Sequence, residues 1–270
     1  MPTVNGKFTY FLSDIHLGLP DRKKSLQREL KLVKFLDEIK NSAESIYFAG
    51  DIFDFWWEYK SVVPRGYVRF LGKIAELSDS GVKIFFFTGN HDIWMKDYLK
   101  EELGTEILHK ELKTEIKGKK FYIAHGDGLG PGDKKYKFLK KIFTNRFLQK
   151  CFSLLHPDTA FGIAKKWSHS RRKKETSYDF KGKDKELLFL HSEDILKKEH
   201  FDYLIYGHRH FPVMLSAGKS SVHINLGDWL VNFTYGIFDG KDFRLKTYKN
   251  NKQEDFIVDL NHTIRINLFN

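Results

Sequence analysis

The sequence predicts an α/β fold of layered sheets with a helical insertion. Three observations carry that expectation. FTYFLSD (8–14), SIYFAGD (45–51) and VKIFFFTGNHD (82–92) are short runs of aromatic and branched residues, each ending in Asp. Segments with helical spacing separate them, which is the rhythm of strands buried on both faces between helices. Residues 131–179 then break the rhythm with thirteen Lys or Arg against four Asp or Glu, a net +9 out of the chain's formal +11.

Each element follows from its residues. Leu26, Leu30, Val33, Leu36 and Ile39 recur at the period of a helix, and so do Phe70, Leu71, Ile74, Ala75 and Leu77. From 105 onward, EILHKELKTEIKGKKFYIAHGD reads as two antiparallel strands joined at Lys117-Gly118-Lys119. YKFLKKIF and FLQKCFSLLH mix apolar residues at helical spacing with lysines, so 131–179 should hold two or three amphipathic helices. This cap begins just after HGD and should hang over the rim where the strands end. Residues 185–198 look helical and FDYLIYGHRH is a further strand. The stretches LVNFTYGIFDGKDFRLKTYKN and FIVDLNHTIRINLFN read as antiparallel strands around a DG turn.

With 270 residues and 41% hydrophobic content, the chain can bury a large core, which excludes disordered and collagen-like classes. Its single cysteine, Cys151, forms no internal disulfide, and no CxxC zinc framework exists. No signal-peptide pattern and no run of 18 apolar residues occurs, so a cytoplasmic protein is expected. The +11 charge suggests a polyanionic or membrane-surface partner.

The polar residues at the strand ends form a pattern: Asp14 and His16, Asp51, Asn90 with His91 and Asp92, His125 with Asp127, then His208 and His210. Strand ends of an α/β sheet converge on one edge, and these are ligand types that borderline divalent metals accept. Two cations at about 3.5–4 Å need a shared ligand, and Asp51, alone at its strand end, is the candidate bridge. Asp14, His16 and His210 suit one ion, Asn90, His125 and His208 the other. Asn90 contributes oxygen without adding negative charge near a phosphate. Alternation along an extended chain would let His208 and His210 serve different ions.

SDIHLG (13–18), GDIFDFW (50–56), GNHD (89–92), HGD (125–127) and GHRH (207–210) together resemble the calcineurin-like metallophosphoesterases. That resemblance implies a four-layer α-β-β-α core in a single domain over residues 1–270, and a metal-dependent hydrolase. It implies one metal held by Asp14, His16, Asp51 and His210, and a second by Asp51, Asn90, His125 and His208. The ions are expected to be Mn²⁺, with His91 as general acid or oxyanion contact.

The cap is similar to that of the UDP-2,3-diacylglucosamine pyrophosphatase family of lipid A synthesis. The similar positions are Asp133, Tyr136, Phe138, Ser170, Arg171, Arg172 and Lys173, and GHRHFP resembles that family's GHTHRP. The resemblance implies these as substrate-binding residues and an acylated UDP-sugar as substrate. His91 stands where well-known members carry Arg, which replaces a permanent charge with a titratable one. A diacylated substrate needs a greasy slot beside a basic rim, and Phe138, Leu139, Phe143, Phe147, Phe152 and Leu155 are its candidate lining. The basic amphipathic helices suit peripheral contact with an anionic membrane surface. Trp56, Trp57, Trp94 and Tyr122 lie near the motifs and fit either a pocket or the core. Two other readings fit the same core: a phosphoesterase acting on a soluble phosphodiester, nucleotide or phosphoprotein, and a nuclease or nucleic-acid-binding protein. The charge sits among Phe and Leu of helices rather than in an aromatic-studded sheet groove, which disfavours nucleic acid.

Overall fold

The computed structural model describes residues 7–132, 134–172, 177–178, 180, 182–256 and 264–265. In chain order, β1 (Phe8–Leu12), α1 (Arg22–Ile39), β2 (Ala43–Phe48), α2 (Val68–Asp79) and β3 (Lys83–Phe87) alternate as expected, and the alternation continues through α3 (Tyr98–Leu103) and β4 (Glu106–Leu108). The sequence pattern predicts no α3 and runs β4 into the hairpin that follows, whereas β4 is a separate strand that pairs with β3 in parallel. The hairpin β5 (Leu112–Ile116) and β6 (Lys119–Ala124) leads to three helices, α4 (Lys134–Phe143), α5 (Arg146–Ser153) and α6 (Pro157–Arg172). β7 (Ser177–Tyr178), α7 (Leu187–Leu196), β8 (Tyr203–Tyr206), β9 (Val213–Ala217) and β10 (Ser221–Asn225) follow. The chain continues through β11 (Thr234–Phe238), β12 (Phe243–Lys249), β13 (Lys252–Asp255) and β14 (Ile264–Arg265).

Local chemistry explains several boundaries. The Asp21 carboxylate caps α1 by accepting from the Lys24 N–H at 2.9 Å, and Asn145 caps α5 through Phe147 and Leu148. Lys117 and Gly118 both have positive φ, 50° and 78°, as a two-residue hairpin twisted with its strands requires.

The strands form two main sheets. The first has order β13-β12-β11-β1-β2-β3-β4, with β1 to β4 parallel. The second has order β5-β6-β8-β10-β9, with β6, β8 and β10 parallel at its centre. Phe11, Tyr47 and Phe87 from the first sheet meet Phe121, Ile123, Ile205 and Ile224 from the second. On the first sheet's other face, Ile46, Phe48 and Phe86 pack against Phe35, Leu36, Phe70 and Ile74 of α1 and α2. Leu188 and Phe189 of α7 cover the outer face of the second sheet. The layers therefore run α-β-β-α. In β3, Phe86 faces the helices while Phe87 faces the other sheet, so a near-continuous Phe run serves two cores.

The C-terminal end departs from the sequence expectation. β13 lies in KQED, whose residues are all exposed, and it joins the sheet by pairing with β12 rather than by burying side chains. Most of FIVDLNHTIRINLFN lies outside the described residues.

Candidate metal centre

Strands β1, β2, β3, β6 and β8 send their C-terminal ends to one edge, and each is followed by site residues: Asp14 and His16, Asp51, Asn90 and His91, His125, then His208 and His210. The turns are tight. Asp14, His16, Asp51, His208 and His210 all have left-handed backbone, with φ of 53°, 47°, 55°, 65° and 54°. They are half of the ten non-glycine residues of this kind among the described residues. Such positions cost about 1–3 kcal/mol each and persist where neighbours over-determine them. Here the loops hold one another: Asp14 N–H donates to the Gly50 carbonyl and His16 N–H to that of Asp51. The buried Asp92 carboxylate accepts from the backbone N–H groups of Asp51, Ile52, Phe53 and Gly89.

The glycines before Asp51, Asn90 and His208 are a matter of space. A Cβ on Gly89 would lie 2.2 Å from Asp51 Oδ1, and one on Gly50 would lie 2.5 Å from His125 Nδ1. A Cβ on Gly207 would lie 2.6 Å from Asp14 Oδ2.

Two sub-clusters result. In the first, Asp14 Oδ1 faces His210 Nε2 at 3.3 Å and His16 Nε2 at 3.7 Å. In the second, Asn90 Oδ1 lies 2.9 Å from His208 Nδ1 and 3.3 Å from His125 Nε2. Asp51 stands between them, its Oδ2 3.4 Å from His125 Nε2 and 3.7 Å from His16 Nε2. Ligand atoms of Asp14, His16 and His210 converge as a potential metal-holding group, as do those of Asp14, Asp51 and His125. The backbone of His208 and His210 is not extended, contrary to expectation. Their rings part because both residues turn through the left-handed region.

The cluster fits divalent cations. Asp14 is fully buried, and its Oδ2 accepts from Ser13 Oγ at 2.6 Å and His208 N at 2.8 Å. Its Oδ1 accepts no hydrogen bond and instead points among ring nitrogens. Burial, with the Asp51 charge, pushes the Asp14 carboxyl up to about 7, while His125 opposes that rise. Burial alone would also raise Asp51 and lower His125, but their facing charges reverse both directions. A pocket of buried carboxylates that draws a proton onto His125 has the same electrostatic need for a metal ion. Burial drives His208 the other way, down to about 4, which keeps its ring neutral and able to ligate.

His91 lies at the rim. Its Nδ1 is 3.0 Å from the Asp54 carbonyl oxygen and 3.4 Å from the Asp54 carboxylate. Its ring packs edge-on to His16, with centroids 4.9 Å apart. Asp54, which contacts His91, and Asp92, which ties the second motif loop to the third, are residues of the site to which sequence reasoning gives no role. The signal for Asp54 was its place three residues after Asp51.

The cap residues divide. The Tyr136 hydroxyl donates to Asp127 Oδ2, as does the Lys140 ammonium at 2.7 Å, which brings Tyr136 beside His208. Phe138 is largely exposed. Asp133 and Lys173 lie outside the described residues, as do the side chains of Ser170, Arg171 and Arg172.

An apolar cavity of about 440 Å³ opens between α4–α6 and the motif loops, lined by Phe55, Trp57, Trp94, Leu139, Phe143 and Phe152 among others. Of the six residues expected to line a slot, Leu139, Phe143 and Phe152 do so. Phe138 and Phe147 are exposed instead, because α4 and α5 turn those faces outward, and Leu155 is exposed in the turn between α5 and α6. Trp57 and Trp94 line the cavity, Trp56 is core with its Nε1–H on Glu58, and Tyr122 packs behind the second sheet against His191 and Phe201.

The chain is 37% identical over 252 residues to the UDP-2,3-diacylglucosamine hydrolase of Porphyromonas gingivalis, covering 88% of this chain and 96% of the relative. It is 28% identical to the enzyme of that name from Proteus mirabilis, covering 82% and 90%. The Haemophilus influenzae enzyme is also 28% identical, with 84% and 92% covered. Residues 9–212 match the calcineurin-like phosphoesterase family over all five motif loops, and the chain belongs to that family.

Proposed function

We propose that this protein is a metal-dependent hydrolase that cleaves the pyrophosphate linkage of UDP-2,3-diacylglucosamine. Water adds to the α-phosphorus, the bond to the bridging oxygen breaks, and the products are UMP and 2,3-diacylglucosamine 1-phosphate. The observation that carries this reading is the position of the apolar cavity. Phe55 and Trp57 follow Asp54 in the second motif, and Trp94 follows His91 in the third. A greasy slot of ligand-binding size thus begins within a few residues of the phosphoester site. A small soluble phosphodiester has no use for it. Relatives bearing the same substrate in their names span nearly the same length.

Asp14, His16, Asp51 and His210 would hold one ion, and Asp51, Asn90, His125 and His208 the other, with Mn²⁺ as the resident metal. Bound there, two divalent ions supply Lewis acidity toward the phosphoryl oxygens and acidify water toward neutral pH. The chain's own residues do the rest. Asp51 sets the spacing between the two halves of the site. Asn90 offers oxygen without repelling the anionic phosphate. His91 donates Nδ1–H to the Asp54 carbonyl, with the Asp54 carboxylate beside it, and in its imidazolium form would pass the Nε2 proton to the departing oxygen, ending as the neutral Nδ1–H ring. Tyr136, and Asp133 with the 170–173 run beyond it, would contact the sugar phosphate. The cap cavity takes acyl chain.

Among the described residues no helix is long and apolar enough to cross a membrane. Phe138, Phe147, Leu148, Leu154 and Ile163 are exposed on the cap among Lys and Arg, a surface suited to peripheral contact with the cytoplasmic face of an anionic membrane.

The test is release of UMP from UDP-2,3-diacylglucosamine by the purified chain in Mn²⁺, beside a non-acylated UDP-sugar and bis-p-nitrophenyl phosphate. Rapid turnover of the acylated substrate alone is expected. Cleavage of the chromogenic ester alone would leave the two-metal core standing and remove the lipid substrate.

A further inference from the structure

His208 and His210 flank one residue, Arg209, in a loop of two left-handed residues whose middle N–H donates back to the Gly207 carbonyl at 2.7 Å. Such a reversal keeps its shape only if its surroundings hold it. On the core side they do. His208 N–H donates to Asp14 Oδ2, the Asn225 amide to the Gly207 carbonyl, and the Asn232 amide to the His210 carbonyl at 3.2 Å.

On the opposite side the loop meets Glu186. Its carboxylate takes Arg209 Nε at 3.1 Å and Nη2 at 3.2 Å, a two-point fork. The side chains are only 12% and 32% exposed for Glu186 and Arg209, so the pair is partly shielded from water. Glu186 lies at the start of α7, where the chain returns from α4–α6. The outgoing stem of that segment is tied to the His125 loop through Asp127, Tyr136 and Lys140. The two stems also touch: a Cβ on Gly130 would lie 2.4 Å from the Leu187 carbonyl oxygen, and one on Gly126 would lie 2.9 Å from Leu188. The helical segment is therefore fastened at both ends to loops that carry candidate metal ligands.

We propose that Glu186 and Arg209 are positioning residues that set the tilt of the His208–His210 loop, so that cation affinity depends on the seating of the helical segment. A guanidinium–carboxylate fork is planar and directional, which a lysine ammonium cannot reproduce. The inference rests on the two-metal reading of the site.

The experiment measures Mn²⁺ binding to the whole chain by electron paramagnetic resonance of the free ion. The chains compared are wild type, Glu186→Gln, Arg209→Lys and the double variant, each checked for folding by circular dichroism. Either single change should weaken binding of at least one ion about 10–100-fold, the range for outer-shell partners of metal ligands. The double variant should lose no more than the worse single one, since both break the same contact. At saturating Mn²⁺, turnover of bis-p-nitrophenyl phosphate should recover without a residual change in KM. Unchanged affinity in both single variants overturns the proposal, as does a KM defect that persists at saturating metal. If Glu186→Gln does not fold, Arg209→Lys carries the same test. A wild-type chain that binds no Mn²⁺ would overturn the two-metal reading and this inference together. A wild type with two ions and variants to match would remove this inference alone.

Discussion

His91 is held by Asp54: its Nδ1 sits 3.0 Å from the Asp54 main-chain oxygen, with the carboxylate of the same residue 3.4 Å away. One residue thereby fixes both the tautomer and the ring angle of the other. His91→Gln should lower kcat about 10²–10⁴-fold with metal content intact. Asp54→Asn keeps the backbone carbonyl and removes only the charge, so its loss should be smaller. Single-turnover rates with parallel metal analysis measure both, and equal losses would show that the carboxylate, not the carbonyl, governs the ring.

Asp51 faces both halves of the cluster. Asp51→Asn should reduce bound metal from two ions to one or none and lower activity on any phosphoester by more than about 100-fold, beyond the outer-shell range. Elemental analysis of the purified variant checks this. Normal metal loading with retained turnover would remove Asp51 as the bridge.

Gly89 is a sharper probe because the three atoms nearest to an added Cβ all belong to Asp51. A methyl group there would lie 2.2 Å from Asp51 Oδ1 and 2.6 Å from the Asp51 main-chain nitrogen. Gly89→Ala should displace Asp51 and lose metal. Gly72→Ala, where a Cβ would meet nothing within 4 Å, should leave metal binding unchanged.

The cavity makes a prediction about substrate length. The Phe152 ring packs on Trp57 with centroids 4.5 Å apart, and both line the apolar slot. Phe152→Ala should lower kcat/KM for the diacylated substrate about tenfold or more, on the scale of lost apolar pocket contacts. The rate on bis-p-nitrophenyl phosphate should hardly move. Equal losses on both would mean that Phe152 serves only packing.

A buried histidine far from the site sets a pH limit on stability. His223 is enclosed beneath α7, its Nδ1 2.9 Å from Ser192 Oγ, and burial, then the nearby His191 and Lys183 charges, lower its pKa to about 3. The unfolded chain binds this proton below about 6.5, so the stability of the neutral folded form falls as pH drops from 6.5 toward 3. At pH 5 the loss should be about 2 kcal/mol, or 1.36 kcal/mol for each unit below 6.5. Urea unfolding at pH 7 and pH 5 would show it, and His223→Gln should flatten the difference.

Much of this arrangement is legible in the sequence, because the first three strands and the two helices between them bury apolar residues at clear periods, whereas β4 is a three-residue strand with no buried side chain and merges by pattern with the hairpin after it. The loops could be read from the Asp, Asn and His residues that end those strands. β13 could not, since its four residues are all exposed and pair by backbone alone. The slot was only half legible. Helical spacing identifies an apolar face on each cap helix but does not say which part is covered, so it places Phe147 inside and leaves out Ile142 and Ala164. Asp54 and Glu186 escaped notice for another reason: each acts through a contact distant in sequence or carried by the main chain, and neither leaves a periodic trace.

The site straddles the seam of the sandwich. Asp14, His16, Asp51 and Asn90 come from one sheet, while His125, His208 and His210 come from the other. Ions bound there would act as a rivet through both layers. Loading them should raise the melting temperature by mass action on the native state alone. The converse also holds: a change among the stacked rings of Phe11 and Phe121, between the sheets and away from the chemistry, would let one layer slide over the other and loosen the grip on metal.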